Sequence, residues 1–319
     1  MSSEVAVGRA REEPQDLGLG SRVADQGRRM LNRDGTFNVS RDGMPFLRAF
    51  SPYHAMLTLS WPHFYAVIIA AYLVVNSLFA TAFYLCGPGA LAGTAETTTA
   101  GRALDCFFFS VQTIATIGYG RISPVGIAAN VLVAVEAFAG LLGFAMATAL
   151  AFARFSQPRA KILFSERAVI APYRGITAFE FRIINERNNQ LIEVEAKVMF
   201  SRLETLDGKR VRRFDSLPLE RSKVAFFPIQ WVVVHPIDEA SPLRGLTRED
   251  LAASNAEFFI LLTGVDETFA QTVHARSSYR FDEIVVGARF VDMYRKAGDS
   301  TRVDMRRFHE IEDAPLQTS

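Results

Sequence analysis

Two kinds of hydrophobic pattern divide the chain. Between Pro62 and Ala95 no position is charged, and between Ile122 and Ala153 the one charged residue is Glu136. A helix needs about 20 apolar residues to cross a bilayer core, so these runs predict spanning helices over about 62–86 and 125–153. After Ala160 the period changes to two: Ile192, Val194, Ala196, Val198 and Phe200 alternate with Glu193, Glu195, Lys197 and Met199, as in a half-buried strand. Further strands are predicted over 177–185, 226–234, 257–263, 271–280 and 283–292, with a hairpin turn at Asp207-Gly208 and a short capped helix over 246–251. Short strands with turn punctuation make a sandwich or barrel. Over 45–61, Tyr53, Met56, Leu57 and Trp61 recur at helical spacing, which predicts an amphipathic helix in the membrane interface before Pro62 opens the crossing helix. The polar, Gly- and Arg-rich residues 1–44 are read as a disordered tail, and 313–319 as a second tail.

Charge and composition narrow the function. Thirty-five basic residues meet 34 acidic ones, for a net charge of +1, so the basic excess of a nucleic-acid binder is missing. Two cysteines exclude a disulfide scaffold, and they are read as buried free thiols. The His residues show no metal-ligand spacing, and no nucleophile elbow or phosphate loop occurs, which argues against an enzyme with a bound cofactor. Gly18-Leu19-Gly20 lacks the third glycine and the preceding strand of a dinucleotide fingerprint. No hydrophobic region opens the chain, so no secretory leader is expected. Basic residues crowd the flanks of the two runs, including Arg28, Arg29, Arg33, Arg41 and Arg48 before the first and Arg154, Arg159, Lys161 and Arg167 after the second. The loop between holds Arg102 and Arg121, so both termini are expected in the cytoplasm.

That loop carries the most specific chemistry. An apolar stretch around Leu104–Val111 is half a membrane thickness long and predicts a re-entrant helix over about 103–114. Thr116-Ile117-Gly118-Tyr119-Gly120 follows it. An extended strand that turns successive carbonyls to one side must visit backbone angles that Gly takes cheaply, and Gly118 and Gly120 supply them. Four such strands around an axis would stack rings of carbonyl oxygens from Thr116, Ile117, Gly118 and Tyr119, with the Thr116 hydroxyl below. Such rings replace the hydration shell of a potassium ion. Because one chain supplies one strand, the pore requires a homotetramer. Glu136, a carboxylate inside a span, is expected to brace the back of this strand or a neighbouring chain. The competing reading is a membrane-anchored β-sandwich that senses or binds without selective conduction.

Phe107–Gly120, Trp61-Pro62, Ala153-Arg154-Phe155-Ser156-Gln157-Pro158-Arg159-Ala160, Ile162-Leu163-Phe164-Ser165, Ala275-Arg276-Ser277-Ser278-Tyr279, Val303-Asp304 and Arg307-Phe308-His309 together resemble the prokaryotic inward-rectifier (KirBac-type) potassium channels. The resemblance covers about 45–312. It implies a membrane α-helical two-span pore domain (62–156) with a re-entrant pore helix and filter, plus a cytoplasmic all-β immunoglobulin-like sandwich (157–312), in a bacterial plasma membrane. It also implies that Gln112 stands behind the filter where many inward rectifiers have Glu, and that Arg121 follows the filter where most other potassium channels have Asp. Leu141, Phe144, Thr148 and Phe152 would line the pore, with Phe144 where strong rectifiers carry an acid and Phe152 at an aromatic constriction. Gly140 and Gly143 would let the second span bend. Arg48, Arg154, Arg159 and Lys161 would meet anionic lipid, such as phosphoinositide headgroups. No cofactor is implied, because potassium is the permeant ion.

Overall fold

The computed structural model describes residues 29–38, 51–94, 98–156, 160–187, 189–206, 208–227, 230–297 and 300–316. The chain divides into two compact units, 42–157 and 1–41 with 158–319.

In the first unit, helix α1 (Pro52–Thr58) is capped by Ser51 and ends at Leu59. Helix α2 (Trp61–Leu85) starts anew with Pro62 in its first turn. At about 1.5 Å per residue its 25 residues reach roughly 37 Å, enough to cross a bilayer with tilt. Helix α4 (Gly126–Phe155) has 30 residues, and the mean hydropathies of the two are 2.1 and 2.0. Between them lies helix α3 (Thr99–Ile114), whose 16 residues reach about 24 Å, too short to span. The Thr98 hydroxyl caps it by accepting from the Gly101 N–H at 3.1 Å. A small ribbon of β1 (Leu91–Ala92) and β2 (Ser123–Pro124) ties the segment after α2 to the one before α4.

The second unit is a β-sandwich. Strands β3 (Ile162–Phe164), β4 (Ala168–Tyr173), β5 (Ile176–Asn185), β9 (Gln230–Ile237) and β12 (Ile284–Val286) form one sheet. The other holds β6 (Leu191–Leu206), β7 (Lys209–Leu217), β8 (Lys223–Phe227), β10 (Glu257–Asp266) and β11 (Gln271–Arg280). Alternate residues of the two sheets meet in the core, where Phe179 of β5 stacks on Phe258 of β10 at 4.4 Å and Phe200 of β6 lies 4.9 Å from the same ring. Helix α5 (Arg248–Ala253) begins with a capping box between Thr247 and Asp250. The ribbons of β13 (Ala288–Phe290) with β16 (Ile311–Asp313), and of β14 (Tyr294–Ala297) with β15 (Ser300–Val303), complete the unit.

Four sequence expectations change. The strand expected over 226–234 is two strands, because β8 pairs with β6 and β9 with β5, in different sheets. Pro228 lies between them and has no N–H for a ladder. The run 283–292 likewise breaks into β12 and β13 at Gly287, whose φ is +77°. In β6 the alternation slips, with Leu191 buried and Ile192 only half-buried. Glu193 takes φ +53° there, and two β6 residues face Gly264 of β10 in a bulge. Finally, residues 29–38 of the expected tail are folded onto the β-sandwich. Met30 and Leu31 are buried with Phe214 and Phe259, and their N–H groups both donate to the Glu257 carboxylate at 3.1 Å. Arg29 grips Glu283 through two bonds of 3.0 Å, and Arg33 donates to the Ser165 and Glu166 carbonyls. Burial alone would raise the Glu283 carboxyl, but the bonds from Arg29 and the Arg280 N–H outweigh it and hold its pKa below the ordinary value. Residues 1–28 and 39–50 lie outside the described residues.

Buried charge recurs in the sandwich. Glu180 sits on β5 between Val169 of β4 and Val234 of β9. Burial pushes its carboxyl up to about 7, opposed by Arg182 and assisted by Glu220. Nearby, a cavity of about 230 Å³ is lined by Pro218, Glu220, His235, Asp238 and Ser241. Burial lowers the His235 pKa, Nδ1 donates to the Pro218 carbonyl, and Nε2 lies 2.7 Å from the Ser241 hydroxyl.

Candidate functional site: the loop after the short helix

Helix α3 ends in a Schellman-type pair of bonds, one reaching back three residues and one five, around Thr116 in the left-handed region. The Thr116 N–H donates to the Thr113 carbonyl at 3.0 Å and the Ile117 N–H to the Gln112 carbonyl at 2.8 Å. The chain then alternates in handedness. Thr116, Gly118 and Gly120 take φ of +55°, +56° and +78°, whereas Ile117 and Tyr119 are not among the residues with positive φ. Alternation of this kind is what turns consecutive carbonyls to one side of an extended strand. Glycine was expected to carry it alone; Thr116 joins it, and a β-branched residue is held at positive φ only by its surroundings. Within the single chain a Cβ on Gly118 or Gly120 would meet no described atom within 4 Å, and the positive φ by itself already calls for glycine.

Around α3, three helices meet through polar side chains. Ser110 of α3 places its hydroxyl 3.2 Å from Asn76 Oδ1 of α2 and hydrogen-bonds the Glu136 carboxyl of α4. All three residues are fully buried, and Asn76 also donates to the Tyr72 carbonyl at 2.7 Å. In an apolar surround such groups need partners inside the protein, so the cluster fixes the register of α3 between the spans. Glu136 stood out in the sequence as the charge within an apolar run; Asn76 and Ser110 carried no such flag. Gln112 is half-buried, one turn from the loop.

Gly140, read as a hinge, has a further role. A Cβ there would lie 3.0 Å from the Ile114 carbonyl oxygen and 3.1 Å from its Cα, so the missing side chain lets α4 pass the end of α3. Gly143 faces open space. Leu141, Phe144, Thr148 and Phe152 all lie exposed along α4 in the single chain, with Phe144 75% and Phe152 72% accessible. The Thr148 hydroxyl returns to the Phe144 carbonyl at 2.9 Å.

The basic residues expected at a lipid surface part ways. Arg154 donates to the Met56 and Leu59 carbonyls at 2.5 and 2.6 Å, and its guanidinium lies 4.5 Å from the Trp61 ring and 4.7 Å from the Phe64 ring. It therefore joins the last turn of α4 to the elbow between α1 and α2. Lys161, in the other unit, pairs with Glu186 at 2.8 Å. Arg48 and Arg159 lie outside the described residues. Both cysteines are free, but only Cys106 is buried; Cys86, at the end of α2, is exposed, which corrects the reading of two buried thiols.

Two membrane-length apolar helices, a half-length helix and a loop of alternating handedness between them, joined in sequence to a β-sandwich, define the ion-channel class. Comparison with known proteins agrees. A family model described as "Ion channel" matches residues 71–157, and one described as "Inward rectifier potassium channel C-terminal domain" matches 162–319. The chain is 44% identical to the inward rectifier potassium channel Kirbac3.1 of Paramagnetospirillum magnetotacticum, over 89% of this chain and 95% of that protein. It is 28% identical to the G protein-activated inward rectifier potassium channel 3 of Mus musculus (90% of this chain, 78% of that one). It is 26% identical to the inward rectifier potassium channel irk-1 of Caenorhabditis elegans (88% and 56%). This chain belongs to the inward rectifier potassium channel family, in its prokaryotic KirBac-type branch. It is a membrane protein and, as a member of a channel family, not an enzyme.

Proposed function

We propose that the chain assembles as a homotetramer and conducts potassium passively and selectively through a filter of Thr116, Ile117, Gly118, Tyr119 and Gly120. The observation that carries this reading is the left-handed backbone at Thr116, Gly118 and Gly120, directly after a helix too short to span. Four such strands would surround a dehydrated cation with the carbonyl oxygens of Thr116 to Tyr119. Gln112 and the Asn76–Ser110–Glu136 cluster support the filter from behind. Leu141, Phe144, Thr148 and Phe152 line the path below it, and four Phe152 rings close it at the cytoplasmic end by contact and dewetting. Both termini lie in the cytoplasm of a bacterial cell, and the spans cross its inner membrane. Anionic lipid biases the gate through the interfacial helix α1, which Arg154 holds, with Arg48, Arg159 and Lys161 adding positive charge.

The test is flux from liposomes loaded with reconstituted protein. Potassium and rubidium should pass and sodium should not. Equal sodium and potassium fluxes would reject the filter, and a well-folded tetramer that passes neither would favour the sensing module. Repeating the assay with and without phosphoinositide tests the lipid arm.

A further inference from the structure

Arg121 is the first residue past Gly120, and its main chain is pinned from outside. The Arg121 carbonyl lies against Gly93, where a Cβ would come within 1.7 Å of the oxygen. Just beyond, the β1–β2 ribbon pairs Ala92 with Ser123 and Leu91 with Pro124, and the Val125 N–H donates to the Ala90 carbonyl at 2.8 Å. Ile122 is buried with Leu91, Cys106 and Phe109. The Arg121 side chain, by contrast, is two-thirds exposed and reaches back to α3, with Nη2 3.8 Å from Asp105 Oδ1. Asp105 is 7% exposed, and its Oδ2 has no partner among the described residues. A carboxylate buried to this extent is costly without a cation beside it. Arg102, one turn earlier on α3, is directed elsewhere, onto the Tyr84 ring at 3.9 Å and the Tyr84 carbonyl at 3.4 Å.

We propose that Asp105 and Arg121 are positioning residues that tie the outer end of the filter to the first half of the pore helix. The pair acts on Tyr119 and Gly120 through the main chain at Arg121, and so keeps the outer carbonyl ring at the width that suits potassium. In this chain the cation directly follows Gly120 and its carboxylate partner stands on α3. The proposal rests on the filter reading above.

The experiment uses full-length reconstituted protein carrying Asp105→Asn, Arg121→Gln, both together, or Arg121→Lys. Two quantities are read: the potassium-to-sodium flux ratio, and the potassium concentration that half-protects the tetramer against heat. Each neutralising variant should lower the flux ratio and raise the half-protecting concentration by about one-and-a-half- to fivefold, as expected for a partly screened ion pair. The double variant should resemble the singles rather than sum them, and Arg121→Lys should recover most of the loss. Heat stability lowered equally in potassium and in sodium, with an unchanged flux ratio, would overturn the tie and leave a plain structural pair. Additive single and double effects would overturn it as well. Arg121→Gln alters an exposed side chain, so it carries the test if Asp105→Asn fails to assemble. A wild-type protein without potassium selectivity would instead reject the filter reading itself.

Discussion

In the β-sandwich the large apolar side chains turn inward: Phe179, Phe181, Phe200 and Phe258 have no exposed surface. Residues 42–157 keep a small apolar cluster around Phe83 and Phe109, but much of their apolar surface, such as Ile69, Leu73, Val74 and Leu78, is exposed in the single chain, while Asn76, Ser110 and Glu136 are sealed inside. The sandwich is held by removal of apolar area from water, which is nearly indifferent to direction. Lipid tails are as apolar as leucine, so the spans gain nothing of that kind from each other. They rely on close approach, as at Gly140, and on directional polar contacts, as at Ser110. Substitutions should therefore fail differently in the two regions: by lost volume in one, by lost geometry in the other.

The largest expected effect is in the membrane unit. Gly118→Ala should abolish potassium flux while the tetramer persists, because alanine resists φ +56°. Retained selective flux would break the comparison. In the sandwich, Phe258→Ala should cost about 3–5 kcal/mol in urea unfolding, through the cavity it leaves under Phe179 and Phe200. Any potassium flux that survives should keep its selectivity.

A smaller effect concerns charge. The Glu180 carboxyl titrates near 7 when folded against 4.5 when free, so the folded state holds its proton more tightly. Its contribution to stability is fully present below about pH 4.5 and is lost as pH rises through about 7. Glu180→Gln should flatten that fall and raise stability at pH 8 by about 1–3 kcal/mol, seen as slower hydrogen exchange in β4, β5 and β9. An unchanged pH profile would remove Glu180 from the account. An effect of similar size separates two glycines. Gly140→Ala should lower tetramer melting by roughly 1–3 kcal/mol equivalent as α3 and α4 are pushed apart, and Gly143→Ala, which meets no atom of its own chain, should cost less. Equal effects would restore the view of both as hinges alone.

What was legible in the chain follows the same division. The spans, the short helix and the Gly-Tyr-Gly run were readable because membrane length and positive φ constrain residue type locally. Strand β11 was readable at both ends, since its turn residues and alternation agree. Contacts made at a distance were not. Nothing beside Gly140 in sequence announces Ile114, and Arg154 looks like any basic residue at a membrane edge until its carbonyl partners, 98 and 95 positions away, are known. Residues 29–38 were hidden by polar composition. Met30-Leu31 and the turn at Arg33-Asp34-Gly35 were the available signal, and the buried acceptor that fixes them is Glu257, far along the chain. The slip in β6 was invisible because either phase of alternation satisfies the pattern until Glu193 takes its positive φ.

The contact of Gly140 with Ile114 has a mechanical consequence. It is the one place along α4 where a glycine brings helix backbone directly against the short helix, and so it makes a natural fulcrum. The twelve residues from Gly140 to Phe152, at about 1.5 Å each, form a lever arm of roughly 18 Å. A tilt of about 10° around that point would move the Phe152 ring sideways by roughly 3 Å relative to α3 and the loop that follows it.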